Sequence, residues 1–126
     1  MNDDQCHFTS ERQGDVLIIV PMQNMGDLDL VGHDDPCRRL LDAVRDSDAR
    51  HLLIDLGQIS HFGSTALTVF VKAWKTISTR GGTMVFCNAS EHERSILAIT
   101  KLNTIWPVVA TRAEGLAVIG SHTPDE

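Results

Sequence analysis

Two short apolar runs, one helix-length of chain apart, constrain this sequence most. His51-Leu52-Leu53-Ile54-Asp55-Leu56 and Thr83-Met84-Val85-Phe86-Cys87 are too apolar for a sheet with one wet side. Between them Leu67, Phe70, Val71, Trp74 and Ile77 fall on one stripe of a helix running from about Ser64 to Arg80, and Gly81-Gly82 ends it. Strand, helical crossover and strand make a parallel pair with a right-handed connection. The fold class is therefore α/β.

The flanks extend this unit. Val16–Val20 is a β-branched run stopped by Pro21, and Cys6–Arg12 is placed to pair with it antiparallel through a turn at Gln13-Gly14-Asp15. Asn24–Asp35 carries Gly26, Gly32 and four aspartates without periodicity, so it reads as an exposed connection. A first helix follows: Asp34 or Asp35 can cap it, Pro36 suits its first position, and Cys37, Leu40, Leu41 and Val44 form its stripe. Ser90 to Glu93 is a capping box opening a helix to about Lys101. Ile105–Val109, broken by Pro107, is an edge strand. Thr111 to Glu114 is a second box, for a short helix ending near Gly120. The expected architecture is a single domain over 1–126, with its core in about 6–120 and a frayed tail at 121–126. An antiparallel N-terminal hairpin continues into parallel strands, and about four helices cover this mixed sheet.

Charge and cysteine usage remove whole function classes. The 126 residues carry a net charge of −6, with twelve acidic and five basic groups in residues 1–60 and five and six in the remainder. An acidic chain with an Asp-rich first half is a poor counterion for phosphate, which argues against nucleic acid and anionic lipid as partners. Cys6, Cys37 and Cys87 are an odd set with no paired spacing, which fits reduced thiols. The acidic start Met-Asn-Asp-Asp-Gln is unlike a signal peptide, and Val16–Val20 is far shorter than the roughly 20 residues that span a bilayer. The expectation is a cytoplasmic protein with no direct membrane insertion.

Catalytic and metal constellations are not assembled in this sequence. Ser64, His61 and Asp55 can be imagined as a triad, but the segment Phe62-Gly63-Ser64-Thr65-Ala66 is not a nucleophile elbow. With five residues between, the position after Cys87 that a Cys-x5-Arg cysteine-phosphatase loop gives to arginine is Glu93, and Arg94 is one residue too late. The six histidines show no zinc-type pairing, and His33-Asp34-Asp35 is accounted for by the dipole of a helix start. No Gly-rich phosphate loop is present, since Arg80-Gly81-Gly82 is a helix stop, and Trp74 and Phe70 read as core. The chain reads as a non-enzyme without cofactor or metal.

In its ordered elements the chain resembles the STAS domain family, found in bacterial anti-sigma factor antagonists and in sulfate transporters. Gly26-Asp27-Leu28-Asp29 matches the family's Gly-x-Leu-Asp segment and Leu52–Leu56 its central strand. Gly63-Ser64-Thr65-Ala66-Leu67 stands at its Asp-Ser-Ser/Thr-Gly-Leu loop, followed by Arg80-Gly81-Gly82 and the strand Met84-Val85-Phe86-Cys87. The correspondence covers Gly26 to about Gly120, and departs where the family's Asp is Gly63 and its Gly is Ala66. The resemblance implies that Ser64 is a phosphoacceptor, with Thr65 as the neighbouring hydroxyl. It implies a partner that is an anti-sigma factor acting as a serine kinase. The partner surface then comprises Phe62–Leu67, the Gly26, Asp27 and Asp29 loop, and Lys72 and Lys75 on the following helix. Stand-alone members also serve as subunits of transport or stress-signalling complexes without phosphoregulation, a role that Gly63 and Ala66 fit.

The helix start has its own physics. A serine there faces unpaired backbone N–H groups and the positive end of the helix dipole. As a plain N-cap it is worth ~1 kcal/mol. As a phosphoserine it gains about −1.5 to −2 charges, locally well received but repelled by a partner fitted to the hydroxyl. The two roles are compatible.

Overall fold

The computed structural model describes residues 8–22, 38–59 and 64–121, with the side chains at 38, 39, 64–66 and 121 outside that description. Strand β1 (Phe8–Gln13) turns through Gly14 and Asp15 into β2 (Val16–Pro21). Gly14 takes the left-handed conformation (φ 60°) that tight hairpins ask of a glycine. Helix α1 (Arg38–Ser47) precedes β3 (His51–Asp55), and α2 (Ser64–Thr79) connects β3 to β4 (Met84–Cys87). Helix α3 (Glu91–Ile99), a 3-10 turn at Leu102–Thr104, β5 (Val108–Val109) and α4 (Arg112–Ser121) follow.

The sheet order is β1-β2-β3-β4-β5, antiparallel between β1 and β2 and parallel elsewhere. The pair expected to be parallel is so, with Leu52 beside Met84 and Asp55 beside Cys87. Every residue of β3 and β4 is buried, as their two-sided apolarity requires.

The two faces of the sheet are covered unequally. Leu17, Ile19, Leu52, Ile54, Met84 and Phe86 point to one side and pack against α1, α2 and α3 through Leu40, Val44, Phe70, Ala73, Ile77 and Leu97. Phe86 lies at the centre, edge-on to Phe70 at 5.1 Å and stacked on Trp106 at 5.3 Å. Val16, Ile18, Leu53, Val85 and Cys87 point to the other side and meet α4, chiefly Ile119.

Several boundaries differ from expectation. Pro21 is the last residue of β2, not its stop; it pairs with Phe8 beyond the last rung between β2 and β3, where it interrupts no inner ladder. Helix α3 ends at Ile99, because Lys101 adopts φ 64° and starts the 3-10 turn. Only Val108–Val109 pair as β5, at the sheet edge, with the Pro107 carbonyl accepting from Phe86 N–H at 2.9 Å. Helix α4 runs one residue past the expected end, to Ser121, the first residue of the stretch expected to be frayed; 122–126 lie outside the described residues. The Asn24–Asp35 connection, the Asp34/Asp35 cap, Pro36, Cys6 and Cys37 lie outside them too.

Both capping boxes form, one of them altered. The Ser90 hydroxyl accepts from Glu93 N–H at 3.1 Å, and Glu93 accepts from Ser90 N–H at 2.8 Å. Thr111 caps Glu114 N–H at 3.1 Å, but the Glu114 carboxylate reaches Ala110 N–H, one residue earlier than in a standard box. Arg80, just past α2, donates to the carbonyls of Val44, Arg45 and Ala49, closing the C-terminal end of α1. Gly82 allows the close approach of Arg50, whose carbonyl oxygen would lie 1.6 Å from an added Cβ.

Candidate functional site

Parallel strands deliver their connections at their C-terminal edge, where sites in open α/β sheets gather. Here that edge is the end of β3 and β4. Asp55 closes β3, and both of its carboxylate oxygens are engaged. Oδ1 accepts from Gly57 N–H and from Asn88 Nδ2, each at 2.9 Å. Oδ2 accepts from Arg112 Nη2 at 3.0 Å and Nε at 3.3 Å. Burial pushes the Asp55 carboxyl upward, but the Asn88 amide, Gly57 N–H and Arg112 outweigh it and hold it below its ordinary value.

Neighbours shape this knot. Asn88 has φ 58°, a left-handed turn that asparagine tolerates, and it leads the chain from β4 toward α3. Gly57 sits close enough that an added Cβ would lie 3.1 Å from Asp55 Oδ1. Arg112, the first residue of α4, also lies 3.8 Å from Glu11 on β1. The arrangement fastens the C-terminal end of β3 to β4 and to α4 before the chain continues toward α2. It leaves Asp55 no lone pair suited to orient a histidine, so it does not serve the imagined triad. Cys87, beside it, is pushed up to about 12 by burial and by the Asp55 charge, against the pull of Arg112; it carries no thiolate at neutral pH.

Helix α2 begins at Ser64. The backbones of Ser64, Thr65 and Ala66 therefore lie in its first turn, where N–H groups have no intrahelical partner. Leu67 is half-buried, packed against the three-helix core, while Lys72 and Lys75 are exposed. Leu67, Thr68, Val71, Lys72 and Lys75 line an open groove of about 450 Å³. The structure thus brings Leu67, Lys72 and Lys75 onto one surface that continues from the first turn. Gly26, Asp27, Asp29, His61, Phe62 and Gly63 lie outside the described residues. Among the described residues no three His, Cys, Asp or Glu side chains converge as a metal site, and no helix is long and apolar enough to cross a membrane.

The Asp55–Asn88–Arg112 knot was not assembled from the sequence. An Asp and an Asn at the ends of two adjacent parallel strands were a visible signal; Arg112, 57 residues from Asp55, left none.

The family model of the STAS domain matches residues 8–115. The chain belongs to the STAS domain family. The five-stranded mixed sheet and four α-helices of the described residues are the STAS fold of solved relatives. A Bordetella bronchiseptica relative, described as the anti-sigma factor antagonist BtrV, is 27% identical over 84 residues, which are 67% of this chain and 72% of the relative. A Thermotoga maritima structure, described as an anti-sigma factor antagonist, superposes with a TM-score of 0.75 at 20% identity, covering 90% of this chain and 94% of that one. The Bacillus protein SpoIIAA is 15% identical. Its unphosphorylated form gives a TM-score of 0.69, covering 91% of this chain and 97% of that one, and its phosphorylated form gives 0.63, with 90% and 99%.

Proposed function

We propose that this STAS domain is a non-enzymatic anti-sigma factor antagonist, which binds an anti-sigma factor with serine kinase activity and is switched by phosphorylation of Ser64. The observation that carries the reading is that α2 begins at Ser64, the residue that stands at the family's phosphoacceptor position. The descriptions of BtrV and SpoIIAA support the regulatory role. That SpoIIAA has a phosphorylated form supports the switch.

The mechanism follows from the helix start. The unmodified hydroxyl lets the partner close over the first turn of α2, the 62–67 segment and the Gly26, Asp27 and Asp29 loop, with Lys72 and Lys75 at its edge. Seizing the kinase in this state releases the sigma factor it holds. Phosphorylation puts a dianion inside the contact. The phosphate is tolerated by the helix dipole, so the fold persists while the complex dissociates. Such a switch operates in the cytoplasm, where sigma factors act.

A second reading has its own observation, Gly63 and Ala66 in place of the family's Asp and Gly. The domain is then a standing subunit of a transport or stress-signalling complex, without phosphoregulation. Affinity capture of the tagged chain from native extract, followed by mass spectrometry, separates the two. The first reading expects a histidine-kinase-like ATPase that phosphorylates Ser64 when ATP is added. Transporter subunits with no modification of Ser64 would overturn it in favour of the second.

A further inference from the structure

The two edges of the sheet are finished differently. Strand β5 has two residues and follows Pro107, so it offers a visiting strand almost nothing to pair with. Strand β1, at the opposite edge, has six residues, is exposed beyond Phe8, and contains no proline, lysine or bulge, the usual guards of an open edge. Its charged side chains lie over the faces. Glu11 is 3.8 Å from Arg112 on the α4 side, and Arg12 donates to the carbonyls of Gly14 and Ser47 on the other.

The hairpin decides which backbone groups this edge presents. Gly14 and Asp15 make a two-residue turn, so Gln13, opposite Val16, directs its N–H and C=O toward β2. Antiparallel pairs alternate, so Thr9 and Glu11 do the same, while Phe8, Ser10 and Arg12 direct theirs away from the sheet. Pro21 sits opposite Phe8, where β1 asks for no N–H, as this alternation requires. Among the described residues no strand takes up the outward groups of β1.

We infer that β1 pairs antiparallel with β1 of a second copy, across a two-fold axis at Ser10, and joins the two sheets into one. A two-fold axis through such a pair sets one residue opposite itself, which leaves few registers. Centred on Ser10, the pairing sets Phe8 opposite Arg12 and Thr9 opposite Glu11. Every outward group of Phe8, Ser10 and Arg12 then finds a partner, with two hydrogen bonds in each of three pairs. Centring on Glu11 or Arg12 sets like charges face to face, which is destabilising. Centring on Thr9 leaves Arg12 past the end of the other β1. The joined sheet ends in a β5 edge on both sides, so growth stops at two copies. Strand β2 separates the seam from β3, so pairing does not consume the start of α2, and the inference does not rest on the function proposed above.

The test is the oligomeric state of the full chain. Sedimentation equilibrium should show monomer and dimer exchanging with concentration. Ser10→Pro removes the outward N–H at the axis and no bond to β2, so it should weaken the dimer about tenfold and leave the hairpin intact. Two cysteine variants read the register, each in a chain with Cys6→Ser and Cys37→Ser. Ser10→Cys should oxidise readily to a covalent dimer, because paired Cα atoms about 5.5 Å apart suit a disulfide. Arg12→Cys should not, since its counterpart in the second copy lies four residues further along the strand. A chain that stays monomeric at millimolar concentration overturns the inference. So does a dimer that Ser10→Pro leaves at full strength, or cross-linking at Arg12→Cys as fast as at Ser10→Cys. If Ser10→Pro does not fold, the cysteine pair decides alone.

Discussion

The two faces of the sheet are stabilised by different means. One is covered by α1, α2 and α3 and filled by large side chains, with the Phe86 ring in contact with both Phe70 and Trp106. The other is covered through α4, which lies so close that an added Cβ at Gly115 would meet Leu53 Cδ1 at 2.6 Å. Bulk holds the first face; close approach and the Asp55–Arg112 pair hold the second. The site elements divide the same way. Helix α2, which carries the proposed contact, sits on the thick face, while the knot that ends β3 is fastened by the helix of the thin one. A binding helix backed by a deep core can lose surface residues without loss of fold.

The sharpest way to break that contrast is to delete bulk from the thick face. Phe86→Ala should cost about 3–5 kcal/mol, because the ring leaves a cavity between Phe70 and Trp106 that rigid strands cannot fill. On the thin face the damaging change is the opposite, an addition. Gly115→Ala should cost about 1–3 kcal/mol by forcing Leu53 off its rotamer or α4 off the sheet. Urea unfolding of both variants checks the pair. If Gly115→Ala is neutral, α4 has room to shift and the faces are more alike than their packing indicates.

Next comes the ion pair. Arg112→Ala leaves Asp55 with the Asn88 and Gly57 donors but no counter-charge, and should cost about 1–2 kcal/mol, reduced because the arginine side chain is 37% exposed. The sign with pH follows from Asp55. Its folded-state pKa lies below the ordinary 3.8, so its contribution is present above that value and is lost as pH falls through the lower folded value. Asp55→Asn should therefore flatten the acid limb of the stability curve, and Arg112→Ala should flatten it in part. An unchanged limb in both would show that the knot is not coupled to folding.

How far these features were legible depends on the range over which they act. The hairpin, the β3–β4 pair and the Ser90–Glu93 box were readable because a few neighbouring residues decide them: Gly14 for the turn, two apolar runs for the parallel pair, two side chains for the cap. Beta5 was readable only as an edge, since Pro107 removes one donor and tertiary pairing decides how much of 105–109 forms a strand. Trp106 as a stacking partner of Phe86, and Arg112 as the counter-charge of Asp55, depend on which elements meet in space. No local pattern encodes that. Of the candidate site, Ser64 was visible as a helix start, and the lysines as residues off the apolar stripe. The knot behind them was not.

Substitutions at Ser64 have the smallest expected effect on the fold and the largest on function, which makes them the cleanest probe of the thick face. Ser64→Ala removes at most a helix-start hydrogen bond, about 1 kcal/mol or less. Ser64→Asp places a carboxylate where the helix dipole favours one, so thermal melting should change little in either variant. Partner binding should part them, because a carboxylate buried without a counter-charge costs several kcal/mol in the complex. Ser64→Ala should bind the captured kinase like wild type, and Ser64→Asp should lose it. Gly63 supplies a finer expectation. With no acidic residue beside the hydroxyl, modification of wild type by kinase and ATP should be slow, and Gly63→Asp should quicken it, as intact mass after timed incubation will show. Rapid modification of wild type at Ser64 refutes the argument from Gly63. Equal binding by Ser64→Asp and Ser64→Ala refutes the switch, and leaves Ser64 only to start a helix whose stability comes from Phe70, Ala73 and Ile77 beneath it.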